Sequence, residues 1–186
     1  MPSPGRAGTA VAILGCAAFF AAHARAEPQA SAGLTLGGAA TDLRTAPSSA
    51  FHLGARGDVL FLRERGRDMA LGPYVEVLSE SFRTLEAGGG VEWLVPVRDE
   101  LPLVISAGGF ARRAPGFPWE PGVASAIFFG SRSYNFHSIY GLAAGVFVQG
   151  RYGLGDARQA DVVIGVQMDL VLLAYPVIFV YEALAH

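Results

Sequence analysis

The chain has 186 residues, is 52% hydrophobic and only 16% charged, and contains 24 glycines. Its formal charge is −2, with fourteen basic residues that are all arginine and form no basic block, which excludes an electrostatic nucleic-acid footprint. A membrane-spanning helix needs about 18–20 consecutive apolar residues, and beyond the N-terminal run the best candidate is 170–181, broken by Pro176 and bounded by Asp169 and Glu182. A composition this apolar without such helices points to the other structure that satisfies every backbone group in lipid, a closed barrel of strands.

Residues 1–26 have the form of a secretory signal peptide. Arg6 supplies the positive n-region, 10–22 (AVAILGCAAFFAA) the apolar h-region, and Ala24-Arg25-Ala26 an A-x-A cleavage site. Cleavage there leaves 27–186 as a single barrel domain. It also removes Cys16, the only cysteine, so the mature chain has no disulfide, thiolate ligand or cysteine nucleophile. Ile13-Leu14-Gly15-Cys16 loosely resembles a lipobox, but the apolar run continues past the cysteine through Phe19, Phe20 and Ala22.

The mature chain alternates with a period of two, the mark of strands with two different faces. A short strand over 32–40 carries Leu34 and Leu36 on one face, and a polar loop follows over 41–50. In 51–63, Phe51, Leu53, Ala55, Val59 and Phe61 oppose His52, Gly54, Arg56 and Asp58. After a charged turn over 63–68, residues 70–80 set Leu71, Pro73, Val75 and Val77 against Tyr74, Glu76 and Glu80. Pro73 cannot donate to a ladder, which predicts a weakened strand or a strand end there. In 83–97, Leu85, Ala87, Val91, Trp93 and Val95 oppose Glu86, Gly88, Gly90 and Glu92; in 103–112, Leu103, Ile105, Ala107 and Ala111 oppose Ser106, Gly108 and Arg112.

Three prolines make 113–121 a loop. The strand at 122–134 is less regular, because Phe128 interrupts a small and polar row that includes Ala124, Ala126, Gly130 and Arg132. The clearest strand is 140–152. Tyr140, Leu142, Ala144, Val146, Val148 and Tyr152 form one row; Gly141, Ala143, Gly145, Phe147, Gln149 and Arg151 form the other. The last, 160–172, sets Val162, Ile164, Val166, Met168 and Leu170 against Asp161, Gly165, Gln167 and Asp169. These make eight strands over about 32–173, the number expected for an antiparallel up-and-down transmembrane barrel of this length. The tail, 174–186, is compatible with either a strand extension or a short helix.

Alternation alone does not say which row faces inward, since a lipocalin-like barrel also alternates, with its apolar row inside. The small residues and mixed charges of the polar rows suit the interior of a narrow barrel, and bulky apolar rows ending in aromatics suit a lipid belt. On that reading Arg56, Asp58, Glu76, Glu86, Glu92, Arg112, Arg132, Arg151 and Asp169 form a lumen charge network, and Phe51, Phe61, Trp93, Tyr140 and Tyr152 an aromatic girdle.

Over 32–173 this pattern resembles the small eight-stranded outer-membrane barrels of the OmpA and OmpX type. The resemblance implies a Gram-negative bacterial outer membrane, inward charges that pair with one another, a plugged lumen, and membrane lipid and the outer-membrane assembly machinery as partners. One departure is the end of the chain: such barrels commonly finish on an aromatic residue, whereas this one ends Ala185-His186, with Tyr181 its last aromatic.

No motif points to catalysis, a cofactor or a metal. Gly88-Gly89-Gly90 lacks the Lys-Ser/Thr of a phosphate loop and sits within a strand pattern, where close backbone approach explains it. His52, His137 and His186 stand apart, without a ligand-pair spacing. Two alternatives to a structural or surface-interaction barrel follow from the same residues. One is a soluble periplasmic lipocalin-like carrier of a small apolar ligand. The other is a lipid-modifying barrel using His52 and Ser106 with Glu86 or Glu92. The two glutamates share a strand face six residues apart, roughly 20 Å, too far to act across one bond.

Overall fold

The computed structural model describes residues 27–63, 67–98, 101–134, 143–155, 158–170, 181 and 184. Eight strands run β1 (Gln29–Thr41), β2 (Ser48–Leu60), β3 (Ala70–Glu80), β4 (Thr84–Arg98), β5 (Leu101–Arg113), β6 (Glu120–Gly130), β7 (Ala144–Gly153) and β8 (Ala160–Asp169). Each pairs antiparallel with its neighbours in sequence, and β8 pairs with β1, closing the barrel. Closure leaves no unpaired sheet edge. Strands of ten residues, the length of β7 and β8, extend about 33 Å and rise about 23 Å at a tilt near 45°.

The strand bounds differ from the predicted ones where register or chain direction decides. The first strand begins at Gln29 because it pairs along its whole length with β2, from Gln29↔Leu60 to Thr41↔Ser48. The sixth ends at Gly130 rather than 134, and Ser131–Tyr134 leave the sheet. Residues 135–142, including Tyr140 and the start of the predicted seventh strand, lie outside the described residues, as does the proposed signal peptide. Of the tail, Tyr181 and Leu184 are described; both are helical and exposed.

Pro73 is the fourth residue of β3, inside the strand rather than at its end. Phe61 and Leu71 exchange both backbone hydrogen bonds, so alternation turns the backbone nitrogen of residue 73 toward β2. Proline has no N–H to donate there. The β2–β3 ladder therefore stops at Asp58↔Tyr74 and resumes at the isolated pair Phe61↔Leu71 in the same register.

Burial separates the two rows. Along β6, Glu120, Gly122, Ala124, Ala126, Phe128 and Gly130 are buried, and every residue between them is exposed. The outward rows are apolar: Val75 and Ile164 are more than 60% exposed, with Val77, Val91, Val123, Ile127, Val146 and Val148 exposed on their own strands. The inward row of β6 is interrupted by Phe128, and the neighbouring strand explains why it fits. Its ring occupies the space above Gly145, where a Cβ would stand 2.5 Å from the ring. The same arrangement sets Phe110 over Gly122 and Phe147 over Gly165. Three lumen aromatics thus lie over a glycine of the following strand, which fills the volume that glycine leaves open.

Candidate functional site in the barrel lumen

The lumen is organised by β4, whose inward row carries Glu86 toward one end and Glu92 toward the other. Both are 1% exposed. Each is the middle carboxylate of a chain of alternating charges.

Around Glu92, Arg56 Nη2 lies 2.8 Å from Oε2 and Arg132 Nη1 3.3 Å from Oε1. Arg56 also reaches Glu76 at 3.6 Å, and Arg132 pairs with Asp58. The sequence of charges is Glu76–Arg56–Glu92–Arg132–Asp58. Around Glu86, Arg112 Nε donates at 2.8 Å and Arg151 Nη1 at 3.3 Å. Arg112 also meets Asp161 at 2.5 Å and Arg151 meets Glu80 at 3.0 Å, which gives Glu80–Arg151–Glu86–Arg112–Asp161. Each of these four arginines contacts two carboxylates, so no guanidinium in the set is left uncompensated in a place where that costs several kcal/mol, about 3–5.

Only some of these pairs are register neighbours, as Arg56↔Glu76 and Glu86↔Arg112 are. The others join non-adjacent walls: Arg151 of β7 to Glu80 of β3, Arg112 of β5 to Asp161 of β8. Gln149 donates to Glu76 at 2.9 Å, and Arg56 stacks 3.8 Å above the Tyr74 ring. His52 is 1% exposed. Its Nδ1 faces Arg151 Nη2 at 3.2 Å and its Nε2 faces Thr35 Oγ1 at 3.0 Å. A guanidinium only donates, so Nδ1 accepts and the ring proton sits on Nε2, aimed at Thr35.

Ser131–Tyr134 turn into one mouth of the barrel. Arg132, predicted as a strand residue, instead reaches down from this segment to Asp58, Glu92 and Ser31 Oγ, the last at 3.2 Å. Ser133 donates to Asp169, and the Tyr134 ring lies between Arg63 and Arg132, 4.7 Å and 5.8 Å from their guanidinium carbons. Beside the Glu92 chain lies a cavity of about 20 Å³ lined by residues including Thr35, His52, Glu92, Ser106 and Phe128, about the room for one water.

Eight of the nine predicted network residues thus fall into the two chains, five around Glu92 and three around Glu86, while the ninth, Asp169, is held at the mouth by Ser133. Glu80, Asp161 and Gln149 complete the contacts and were not in the predicted set. All three lie on the polar rows, which was the available signal; the partners across the lumen were not readable from alternation. Of the predicted girdle, Phe51 and Trp93 face outward at 47% and 46% exposure; Phe61 and Tyr152 are half-buried, Tyr152 accepting from Arg44 at 2.8 Å.

A lipocalin-like carrier needs apolar residues lining a cavity. Here the apolar rows face out, the charged rows face in, and ion pairs cross the interior. The contacts of the proposed His/Ser/acid set are also different from those that chemistry requires: His52 is held by Thr35 and Arg151, and Glu86 and Glu92 by arginines. Among the described residues no group of three or more His, Cys, Asp or Glu is placed to hold a metal ion. No described helix is long and apolar enough to cross a membrane.

No protein-family model matches the chain, and no curated protein matches it. Among solved structures it is similar to the Yersinia pestis outer membrane protein Ail in a phospholipid bilayer nanodisc. The identity is 8%, the match covers 77% of this chain and 100% of Ail, and the TM-score is 0.41.

Proposed function

We propose that the chain is a bacterial outer-membrane protein whose barrel spans the bilayer and whose lumen is plugged by the two charge chains, with a structural or surface-interaction role and no catalytic step. One observation carries this reading: the barrel is inverted relative to a soluble one, with exposed valine, isoleucine and leucine rows outside and paired arginines and carboxylates inside. Exposing those rows to water would forfeit about 25 cal/mol for each Å² of apolar surface, whereas a hydrocarbon surround removes the cost. A closed ladder and short connections meet the second requirement of that surround, satisfied backbone groups. The half-buried and exposed aromatics at the strand ends suit the headgroup levels. With 1–26 cleaved on export, the chain would be inserted from the periplasm by the outer-membrane assembly machinery. Both termini would remain on the periplasmic side, and 42–47, 81–83, 114–119 and 154–159 would face the exterior.

The test is membrane fractionation followed by gel mobility with and without boiling. Recovery in outer membranes and a heat-dependent shift are expected. Release into the periplasm without detergent would overturn the reading.

A further inference from the structure

On the outside of the barrel, the β3–β4 turn and the β5–β6 loop border a groove of about 370 Å³ lined by Arg83, Leu85, Arg113, Ala114, Pro115, Gly116 and Phe117. Its two charges are both positive, and no acidic residue lines it. Arg83 and Arg113 are exposed, and neither guanidinium has an ion pair or side-chain hydrogen bond among the described residues. They contrast with Arg56, Arg112, Arg132 and Arg151, each of which meets two carboxylates.

The groove lies where the apolar wall ends. Arg113 closes β5 and is the register partner of Leu85, and both point outward. Below them the paired outward positions are small, Ala87 beside Ala111 and then Gly89 beside Gly109, down to Val91 beside Ala107. Larger side chains flank this stretch, Val77 and Val75 on β3 and Pro121 and Val123 on β6. A shallow furrow therefore descends the wall from a cationic mouth. The turn above it holds Ser81 and Phe82 at φ 49° and 58°, a left-handed pair that is costly for residues other than glycine. Phe117, 46% exposed, lines the mouth itself, while Phe82, 74% exposed, sets its ring 6.2 Å from that of Phe51.

We propose that this groove binds the phosphate headgroup of an anionic membrane lipid between Arg83 and Arg113, with an acyl chain lying in the Ala87–Ala111 furrow. The occupant follows from complementarity. Guanidinium groups match phosphate oxygens, the apolar floor matches hydrocarbon, and both must be offered by one molecule standing at the rim of a bilayer. The proposal rests on the membrane-spanning reading above. A nucleic acid or acidic peptide would use the arginines but leave the furrow unfilled.

The experiment places the mature chain in nanodiscs of phosphatidylcholine containing a minority of phosphatidylglycerol and measures the lipid retained after release, by native mass spectrometry. Native protein is expected to retain phosphatidylglycerol about tenfold above its share of the disc, from two near-surface arginines. Arg83→Gln with Arg113→Gln should bring retention to the bulk ratio, and the Arg83→Lys, Arg113→Lys pair should keep part of it. Heat-dependent gel mobility reports whether each variant is folded, and the single substitutions serve if the double one is not. Arg98→Gln, on an exposed arginine at the opposite end, should change nothing. Unaltered retention in the double glutamine variant, an equal loss in Arg98→Gln, or displacement of the lipid by millimolar inorganic phosphate would overturn the site. Failure of the native chain to enter membranes would instead count against the membrane reading.

Discussion

Glu86 and Glu92 sit on one face of β4, six residues apart, and each is gripped by two arginines from different segments of the chain. That spacing divides the lumen charges into two separate chains rather than one diffuse cluster. Each chain has three carboxylates and two guanidiniums, so both ends of every chain are acidic and every arginine is interior to it. The arrangement satisfies the more demanding partner, since a guanidinium has five donors and no way to neutralise itself.

Glu92→Gln should destabilise the barrel by about 3 kcal/mol, the low end for breaking a buried pair, because Arg56 keeps Glu76 and Arg132 keeps Asp58. Reversible urea unfolding in lipid micelles checks this. A variant as stable as the parent would mean that the chain around Glu92 fills space without bracing the walls.

Arg132 reaches five groups from outside the sheet, including the ring of Phe128 at 5.6 Å. Native protein in planar bilayers should show no resolved conductance steps, since both charge chains cross the lumen from wall to wall. Arg132→Ala removes the side chain that crosses the mouth and should raise ion leak above the native baseline. Equal traces for both proteins would shift the barrier to the Glu86 chain.

Gly122→Val would drive a side chain into the Phe110 ring, which occupies that position. Overpacking of this kind costs about 1–3 kcal/mol. In a Phe110→Ala background the same substitution should cost much less, and a double-mutant cycle on unfolding free energies measures the difference. Additive losses would mean that ring and glycine are not a matched pair.

Val75→Arg tests the outer face directly. Val75 is 67% exposed at the centre of β3, so in a bilayer it lies near the midplane, where arginine costs about 2–4 kcal/mol. The same change on a water-exposed wall would stay within about 0.5 kcal/mol. Comparing unfolding midpoints in phospholipid distinguishes the two surroundings.

Strand number, row membership and the direction of the rows were legible in the residues alone. The period of two in 70–80 and 160–172 is set by pleat geometry, and a charged row opposite a bulky apolar row leaves few ways to bury both. Pro73 was legible as a missing donor, but its position was not. Whether a missing N–H ends a strand or only interrupts one ladder depends on which neighbour that nitrogen faces, and register decides that. Phe128 looked out of place for a related reason: the glycine that accommodates it is on another strand.

The pairing of the charges belongs to the tertiary structure. Arginines and carboxylates on inward rows are determined by sequence, because alternation is local. Which of them meet is set by barrel closure, which brings β7 opposite β3 and β8 opposite β5, and by the inward turn after Gly130 that carries Arg132 to Asp58 and Glu92. Arg83 and Arg113 follow the same division. Their charge is written in the chain, but that they share one groove above a furrow of small residues follows from strand register, which no local pattern encodes.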